Sequence, residues 1–266
     1  LMKTTVAIIG TGNLGLSIAK GLHKSGVSLI LTRRKLSALS SLKDLEGVEL
    51  TTDNSAAASK ATIVIVAVQP RQCEAVLQQI KPAIKKDTLV VCTAAGYSID
   101  RLEQALGSQQ PLFRAMPNTA VAVEASMTLI ASNAAGIAEL TEIEALFSHV
   151  GETLAIEESQ MQAATVLCAS GIAFWLRLIR ANTQGGVQLG FESDVALKIA
   201  TQTAFGAARL LIESGNHPEV EIDRVTTPSG CTITGLNVME QQGMSSAFIQ
   251  GLTASFDKIN EIKTTT

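Results

Sequence analysis

At 266 residues the chain exceeds the usual size of a single domain, so two domains with a core each are expected. It is 46% hydrophobic but only 3% aromatic, which makes those cores aliphatic and alanine-rich. A formal charge of −3, a pI near 5.7 and no basic block longer than Arg33-Arg34-Lys35 argue against a nucleic-acid partner and leave a small molecule as the default.

The chain opens on an apolar run, Val6-Ala7-Ile8-Ile9, that leads into Gly10-Thr11-Gly12-Asn13-Leu14-Gly15 and an amphipathic segment to Lys24. This is GxGxxG between a buried parallel strand and a helix, the place where a dinucleotide pyrophosphate sits. Gly10 permits the turn, Gly12 admits the phosphates to the backbone, and Gly15 lets the helix pack on the strand with its free N–H groups toward the anion. Leu1 before Met2 reads as an expression remnant, and Met2-Lys3-Thr4-Thr5 as too short for a secretion signal. A second strand follows at Val27 to Leu31 and runs out into Thr32-Arg33-Arg34-Lys35. An NAD site offers an acid about 20 residues after the motif, whereas a 2′-phosphate takes arginine and no carboxylate. Arg33 and Arg34 therefore select NADP(H); the alternative is a solvated basic turn.

A short helix, Leu36 to Leu45, leads to a strand at Val48-Glu49-Leu50 and a helix cap at Asp53-Asn54. Thr62 to Val68 is a central strand by its β-branched content, ended by Gln69-Pro70, which opens a helix from Arg71 to Lys81. Thr88 to Thr93 stops at Ala94-Ala95-Gly96, and Ser98 caps a helix to Leu106. Pro111 to Arg114 leads to Met116-Pro117-Asn118-Thr119, and the last αβ pieces are Met127 to Ala131, a helix from Ala134 to Val150, and Glu152 to Ile156. The fold expected is α/β: a doubly wound, open parallel sheet of Rossmann type over 1–156, then an all-helical domain over 157–266. In such a sheet, ligands gather at the carboxyl ends of the strands. That brings together Gly10 to Gly15, Ala67-Val68-Gln69-Pro70, Ala94 to Gly96 and Asn118; any one of them alone is ordinary turn chemistry.

From Glu157 no further β-run appears. One helical stretch runs to about Asn182, interrupted near Ser170-Gly171 and ended by Gly185-Gly186. Its uncharged window, Ser159 to Leu176, has the length of a membrane span but holds two Gln, two Ser, a Thr and a Gly. It reads as a buried helix, one that a partner subunit can cover. Ser193-Asp194 caps a second long helix, stopped by Gly215-Asn216-His217-Pro218, whose apolar residues occupy more than one face and call for a shared core in a dimer. Pro228-Ser229-Gly230-Cys231-Thr232 then presents free N–H groups and a hydroxyl at a helix start, a way to hold a small carboxylate; the alternative is a capped helix with a plain loop. Cys73, Cys92, Cys168 and Cys231 form no CxxC pair and have no histidine at ligand spacing, so a reduced, cytoplasmic, metal-free protein is expected. His23, His149 and His217 read as surface or capping residues.

The chain resembles the Δ1-pyrroline-5-carboxylate reductases over nearly its whole length. The family's AVKP-type strand exit, MPNT-type turn, GSGPAY-type helix break and PGGTT-type loop correspond to Ala67-Val68-Gln69-Pro70, Met116-Pro117-Asn118-Thr119, Ala169-Ser170-Gly171-Ile172-Ala173-Phe174 and Pro228-Ser229-Gly230-Cys231-Thr232. The resemblance implies an NADPH-dependent reductase that forms proline, a homodimer or higher oligomer with an intertwined helical domain. It also implies that Gly10 to Gly15, Asn54, Ala67 to Pro70 and Ala94 to Gly96 touch the cofactor. Glu158, Ser170, Arg224, Gly230, Cys231 and Thr232 would meet the substrate, with Thr232 acting in the reduction. Ile172 and Phe174 replace the proline and tyrosine of the helix break, Ser229 replaces a glycine, and Arg224 and Arg180 stand where relatives carry a small polar residue and an acid. These departures lie around the substrate, not the cofactor. Hydride transfer to a protonated cyclic imine needs orientation more than a strong acid or base, which suits the sparse titratable groups. Two other readings compete. A β-hydroxyacid dehydrogenase needs a lysine in the second domain, where only Lys198 precedes Lys258. A noncatalytic NADP-binding regulator would need none of this chemistry.

Overall fold

The computed structural model describes residues 4–265, with side chains up to Glu261; the readings made on Leu1, Met2 and Lys3 lie outside the described residues. The chain packs as two compact units: one runs to Ser170 and includes the chain from Ile259, the other is Gly171–Lys258.

The first unit is built on an eight-stranded sheet in the order β3-β2-β1-β4-β5-β6-β7-β8. Its strands and helices are β1 (Thr5–Ile9), α1 (Asn13–Lys24), β2 (Ser28–Thr32), β3 (Val48–Thr51), α2 (Asn54–Lys60), β4 (Ile63–Val66), α3 (Pro70–Ile80), β5 (Leu89–Cys92), α4 (Ile99–Leu106), β6 (Leu112–Met116), β7 (Ser126–Ser132), α5 (Leu140–Ser148) and β8 (Gly151–Ala155). The central strands read as continuous apolar runs because both faces are covered. Successive side chains alternate: Val6, Ile8, Ile63 and Ile65 join the core under α1 and α5, while Ala7, Ile9, Val64 and Val66 join the one under α2, α3 and α4. All four β4 side chains are fully buried, each worth about 1.5–3 kcal/mol. Capping follows the sequence: Asp53 Oδ1 accepts the Ser55 and Ala56 N–H groups at 2.9 and 3.0 Å, and Ser98 Oγ accepts that of Arg101 at 3.3 Å.

Four local expectations for this unit change. The sheet is not wholly parallel: β7 runs antiparallel to β6, with Phe113 opposite Ser132 and Met116 opposite Leu129, and β8 lies parallel to β7. A parallel return needs a crossover of a dozen or more residues, and residues 117–125 carry only the 3₁₀ helix Thr119–Val123. The segments expected as helices at Leu36 to Leu45 and Ala134 to Val150 open as 3₁₀ turns, Leu36–Leu42 and Ala134–Glu139, and only the second continues into an α-helix. The interruption near Ser170 is not a break but a π-helical turn, Val166–Ser170, between α6 (Met161–Thr165) and α7 (Gly171–Gln188).

The second unit comprises α7, α8 (Ser193–Ser214), α9 (Pro218–Val225), α10 (Cys231–Gln241) and α11 (Met244–Thr265) up to Lys258. Gly185-Gly186 does not end α7, which runs on to Gln188. A Cβ on Gly186 would stand 3.0 Å from that of Ala196, so this glycine brings α7 and α8 together inside the helix pair. Phe174 and Trp175 pack on the Phe248 ring at 6.0 and 5.7 Å between centroids. The expectation that Ser159 to Leu176 is buried fails for the single chain: Leu167, Trp175 and Leu176 are exposed, as are Leu197, Ile199, Phe205, Leu210 and Ile212 of α8. Glu158–Gln188 and Ser193–Ser214 are both long and apolar enough to cross a membrane.

Candidate active site

The glycine-rich turn has the steric character its sequence implies. Gly10 sits at φ +91°, where a side chain would also collide with Val68, and a Cβ on Gly15 would lie 2.6 Å from the Gly10 carbonyl oxygen. Gly12 differs. A Cβ there would meet nothing within 4 Å, so the backbone face at the start of α1 is open, and no side chain caps the helix. An uncapped, open helix start fits a pyrophosphate.

The ends of β1 and β2 are laced together by residues of which the sequence reading used only part. Thr11 donates from both its N–H and its hydroxyl to the Thr32 carbonyl at 2.9 Å. Thr32 Oγ1 accepts the Gly10 N–H at 3.2 Å and donates to Asn54 Oδ1 at 2.7 Å, while Asn54 Nδ2 donates to Gln79 at 2.9 Å. Arg33 Nη1 donates to the Thr11 carbonyl at 3.0 Å, so the first cation after β2 reaches back over the turn. Arg34 beside it is exposed, as is Asn13, and Leu14 is half-buried. No carboxylate occupies 32–35 to repel a 2′-phosphate.

The other strand exits follow in the same unit. Ala67 and Val68 are half-buried beyond β4, and Gln69 forms a capping box with Gln72 at the start of α3, where Pro70 is the first helical residue. Ala95 and Gly96 are exposed beyond β5, with Gly96 at φ +75°. The next residue, Tyr97, anchors this loop: it is fully buried, donates its hydroxyl to Glu74 Oε2 at 2.6 Å and carries Arg101 4.4 Å above its ring. Burial and the Glu74 carboxylate push its phenol up, and the Tyr97 hydroxyl, with Gln78, holds the Glu74 carboxyl below the usual range. Beneath the loop, the Cys73 thiol donates to the Gln69 carbonyl at 3.7 Å, and the neighbouring Cys92 together with burial pushes Cys73 up. Asn118 Oδ1 caps the turn after β6 through the Ala120 N–H at 3.0 Å, and its Nδ2 points to Cys168 Sγ at 3.7 Å. Cys168 donates to the Met127 carbonyl at 2.9 Å, which ties the π turn holding Ser170 to the strand beside Asn118.

Glu158 lies just beyond β8. Its Oε1 takes Arg114 Nη1 at 2.8 Å and the Ile99 N–H, the first of α4, at 3.2 Å. Arg114 escaped the sequence reading, although a charge inside Leu112-Phe113-Arg114-Ala115-Met116 is itself the signal of a buried pair.

In the helical unit, Pro228-Ser229-Gly230 turns into α10 as expected. Ser229 takes φ +59°, a left-handed conformation in which a glycine would be unstrained, and a side chain on Gly230 would strike Thr227. Gly230 is the N-cap, Cys231 the first helical residue and Thr232 the second; no side chain caps this helix, Thr234 Oγ1 donates back to the Gly230 carbonyl at 3.0 Å, and among the described residues the Thr232 hydroxyl has no protein partner. Cys231 is exposed. A cavity of about 820 Å³ borders the loop at Thr227, Pro228, Ser229 and Ile233, but Glu219, Asp223 and Glu240 line it and disfavour an anion there. Arg224 is occupied on its own helix, pairing with Glu221 at 2.8 Å. Asn216 and then Arg224 hold that carboxyl below the ordinary range. His217 caps α9 through Nδ1, His149 closes α5, and His23 meets the Glu46 carbonyl at 3.1 Å. Among the described residues, no group of three or more His, Cys, Asp or Glu side chains could hold a metal ion.

Comparison with known proteins extends this picture along the whole chain. A family model described as pyrroline-5-carboxylate reductase dimerisation matches residues 158–262, and one described as NADP oxidoreductase, coenzyme F420-dependent, matches residues 5–96. Pyrroline-5-carboxylate reductase 2 of Dictyostelium discoideum is 43% identical over 272 residues, spanning 95% of this chain and 91% of that protein. The pyrroline-5-carboxylate reductase of Escherichia coli K12 is 32% identical over 98% of this chain and 99% of its own length. Among solved structures, the pyrroline-5-carboxylate reductase from Coxiella burnetii matches with a TM-score of 0.91 at 30% identity, over 97% of this chain and 98% of that one. The Plasmodium falciparum pyrroline carboxylate reductase with NADP bound shares the fold at a TM-score of 0.86 and 22% identity, over 99% of each chain.

Proposed function

The chain belongs to the pyrroline-5-carboxylate reductase family, and we propose that it reduces 1-pyrroline-5-carboxylate to L-proline, the last step in making that amino acid, with NADPH as reductant. The observation that carries the choice of cofactor is the acid-free end of β2, where Arg33 reaches back to the Thr11 carbonyl at 3.0 Å above an open, uncapped helix start. NADPH, when bound, supplies the hydride. Gly10, Thr11, Gly12, Asn13, Leu14 and Gly15 give it the turn and the N–H groups of α1, and Arg33 and Arg34 hold its 2′-phosphate. Asn54, Ala67 to Pro70, Ala94 to Gly96 and Asn118 frame the rest.

The substrate side needs orienting contacts more than a strong acid or base. Gly230 and Cys231 offer backbone, and Thr232 adds its hydroxyl; together they take the substrate carboxylate, and Ser170 and Arg224 are the remaining proposed substrate contacts. Glu158 is a further substrate contact; the reacting bond is the C=N of the ring. When that nitrogen is protonated the adjacent carbon is electrophilic, so hydride adds to carbon while the C=N electron pair moves onto nitrogen. The protein has to align two molecules and stabilise one cation. Residues 1–156 serve as the cofactor domain and 157–266 as the dimerisation and substrate domain of a homodimer, whose second copy covers the apolar faces of α7 and α8. Four unpaired cysteines suit a reducing, cytoplasmic setting.

NADPH loss at fixed enzyme, measured with pyrroline-5-carboxylate beside the six-membered piperideine carboxylate and acyclic keto acids, tests the assignment. The five-membered imine should be consumed with the highest kcat/KM. A preference for a keto acid would favour a dehydrogenase, for which exposed Lys198 on α8 is the sole lysine of the second domain before Lys258. Stoichiometric NADPH binding with no oxidation would favour a regulator.

A further inference from the structure

The Asn54 amide is held at both ends. Thr32 Oγ1 accepts the Gly10 N–H at 3.2 Å, so its own hydroxyl proton goes to Asn54 Oδ1 at 2.7 Å. At the other end Asn54 Nδ2 donates to Gln79 Oε1 at 2.9 Å. Thr32 is 2% exposed and Gln79 lies on the surface, which turns the amide oxygen toward the strand ends and the nitrogen toward solvent. A primary amide nitrogen carries two hydrogens, and Gln79 takes one. The other N–H meets no protein group among the described residues. Packing does not require the Gln79 side chain, because Ser55 Oγ already ties α2 to α3 by donating to the Gln79 backbone carbonyl at 2.9 Å. Asp53, the acid beside Asn54, has its Oδ1 committed to the Ser55 and Ala56 N–H groups. The neighbour of Thr32 is Arg33, whose guanidinium donates to the Thr11 carbonyl at 3.0 Å, while Thr11 itself donates to the Thr32 carbonyl. The free amide N–H and the guanidinium thus hang from the same residues at the ends of β1 and β2.

We propose that Thr32 and Gln79 are positioning residues for cofactor choice: they clamp the Asn54 amide so that its remaining N–H, beside Arg33, donates to the 2′-phosphate of NADPH. The proposal rests on the reading that Asn54 touches the cofactor, and adds to it which atom does so and what aims it. An N–H gives an anionic oxygen a bond about twice as strong as the one it gives a hydroxyl, so this polarity favours NADPH over NADH. The reversed amide would offer a carbonyl oxygen, which a ribose hydroxyl can use and a phosphate dianion cannot. A network that only stitched the strand ends to α2 and α3 would change the affinities for both cofactors together.

Fluorescence titration of the full-length protein with NADPH and with NADH, repeated with 2′,5′-ADP and AMP as competitors, separates these roles. Gln79→Leu and Thr32→Val should each lower the ratio of NADH Kd to NADPH Kd about three- to tenfold, the worth of one hydrogen bond, and narrow the preference for 2′,5′-ADP over AMP alike. Thr32→Ser keeps the hydroxyl and should stay within about twofold of the parent ratio. In an Asn54→Leu background, Gln79→Leu should change nothing further. Thr32→Val also strips the Gly10 N–H of its acceptor, so the ratio is read rather than either affinity; if that variant does not fold, exposed Gln79 decides alone. The inference is overturned if either variant leaves the ratio at the parent value, whether or not both affinities fall, or if the Asn54→Leu and Gln79→Leu losses multiply. An Asn54→Leu variant that binds both cofactors like the parent instead removes the cofactor role of Asn54 itself, a failure recognisable because it occurs with Thr32 and Gln79 intact.

Discussion

Among the described residues the Thr232 hydroxyl pairs with no protein group. Thr232→Ala should therefore cost the imine about 1.5–3 kcal/mol of transition-state stabilisation, or ten- to a hundredfold in kcat/KM, with NADPH affinity unchanged in a fluorescence titration. Replacing Arg33 and Arg34 together with alanine should weaken NADPH by a few kcal/mol at most while sparing NADH; equal losses in paired titrations would contradict the 2′-phosphate assignment. Tyr97 gives a pH-dependent case. Its hydroxyl lowers the Glu74 carboxyl, so the interaction stabilises the fold above the ordinary carboxylate range and fades as pH falls through the depressed value. Tyr97→Phe should lose about 1 kcal/mol at neutral pH, discounted for the exposed carboxylate, and the gap in Tm should close in acid. Gly10, Gly12 and Gly15 could be assigned from the sequence because each role is steric and local. The Arg114–Glu158 pair could not, because its partners lie 44 residues apart and meet only after three strands have assembled.

Helices and strands declared themselves where the cause is local. The β-branched run Ile63–Val66, the Asp53 and Ser98 caps and the proline opening α3 all appear where the pattern puts them. The direction of β7 did not, since alternation of side chains is the same for a strand running either way. Gly185-Gly186 misled for a related reason: glycine penalises a helix locally, yet close contact with Ala196 on α8 repays it. The two glycines should therefore respond in opposite senses. Gly186→Val forces α7 and α8 apart and should destabilise by about 1–3 kcal/mol. Gly185→Ala, where a Cβ meets nothing within 4 Å, should raise Tm through better helix propensity. Calorimetry on both variants decides it, and a stabilised Gly186→Val would show that the contact is not tight.

Taken whole, the chain carries more exposed apolar helix than a lone soluble subunit keeps: Phe205 is 57% and Ile212 82% exposed. They stand seven residues apart on α8 and so share a face. Phe205→Glu with Ile212→Glu should convert a sedimenting dimer to monomer or aggregate, and a double variant that sediments as the parent dimer would show that α8 does not face the second copy. The same economy of aromatics that left the cores aliphatic has an optical consequence. The chain has one tyrosine and one tryptophan: Tyr97 is sealed in the sheet unit, while Trp175, 61% exposed, rests on Phe248 in the helical unit. Light absorbed selectively by the indole therefore reports on the helices and on whatever covers them, while the phenol reports on the sheet. The molecule comes with its two halves already labelled in different colours, so their melting and association can be watched separately without attaching a dye.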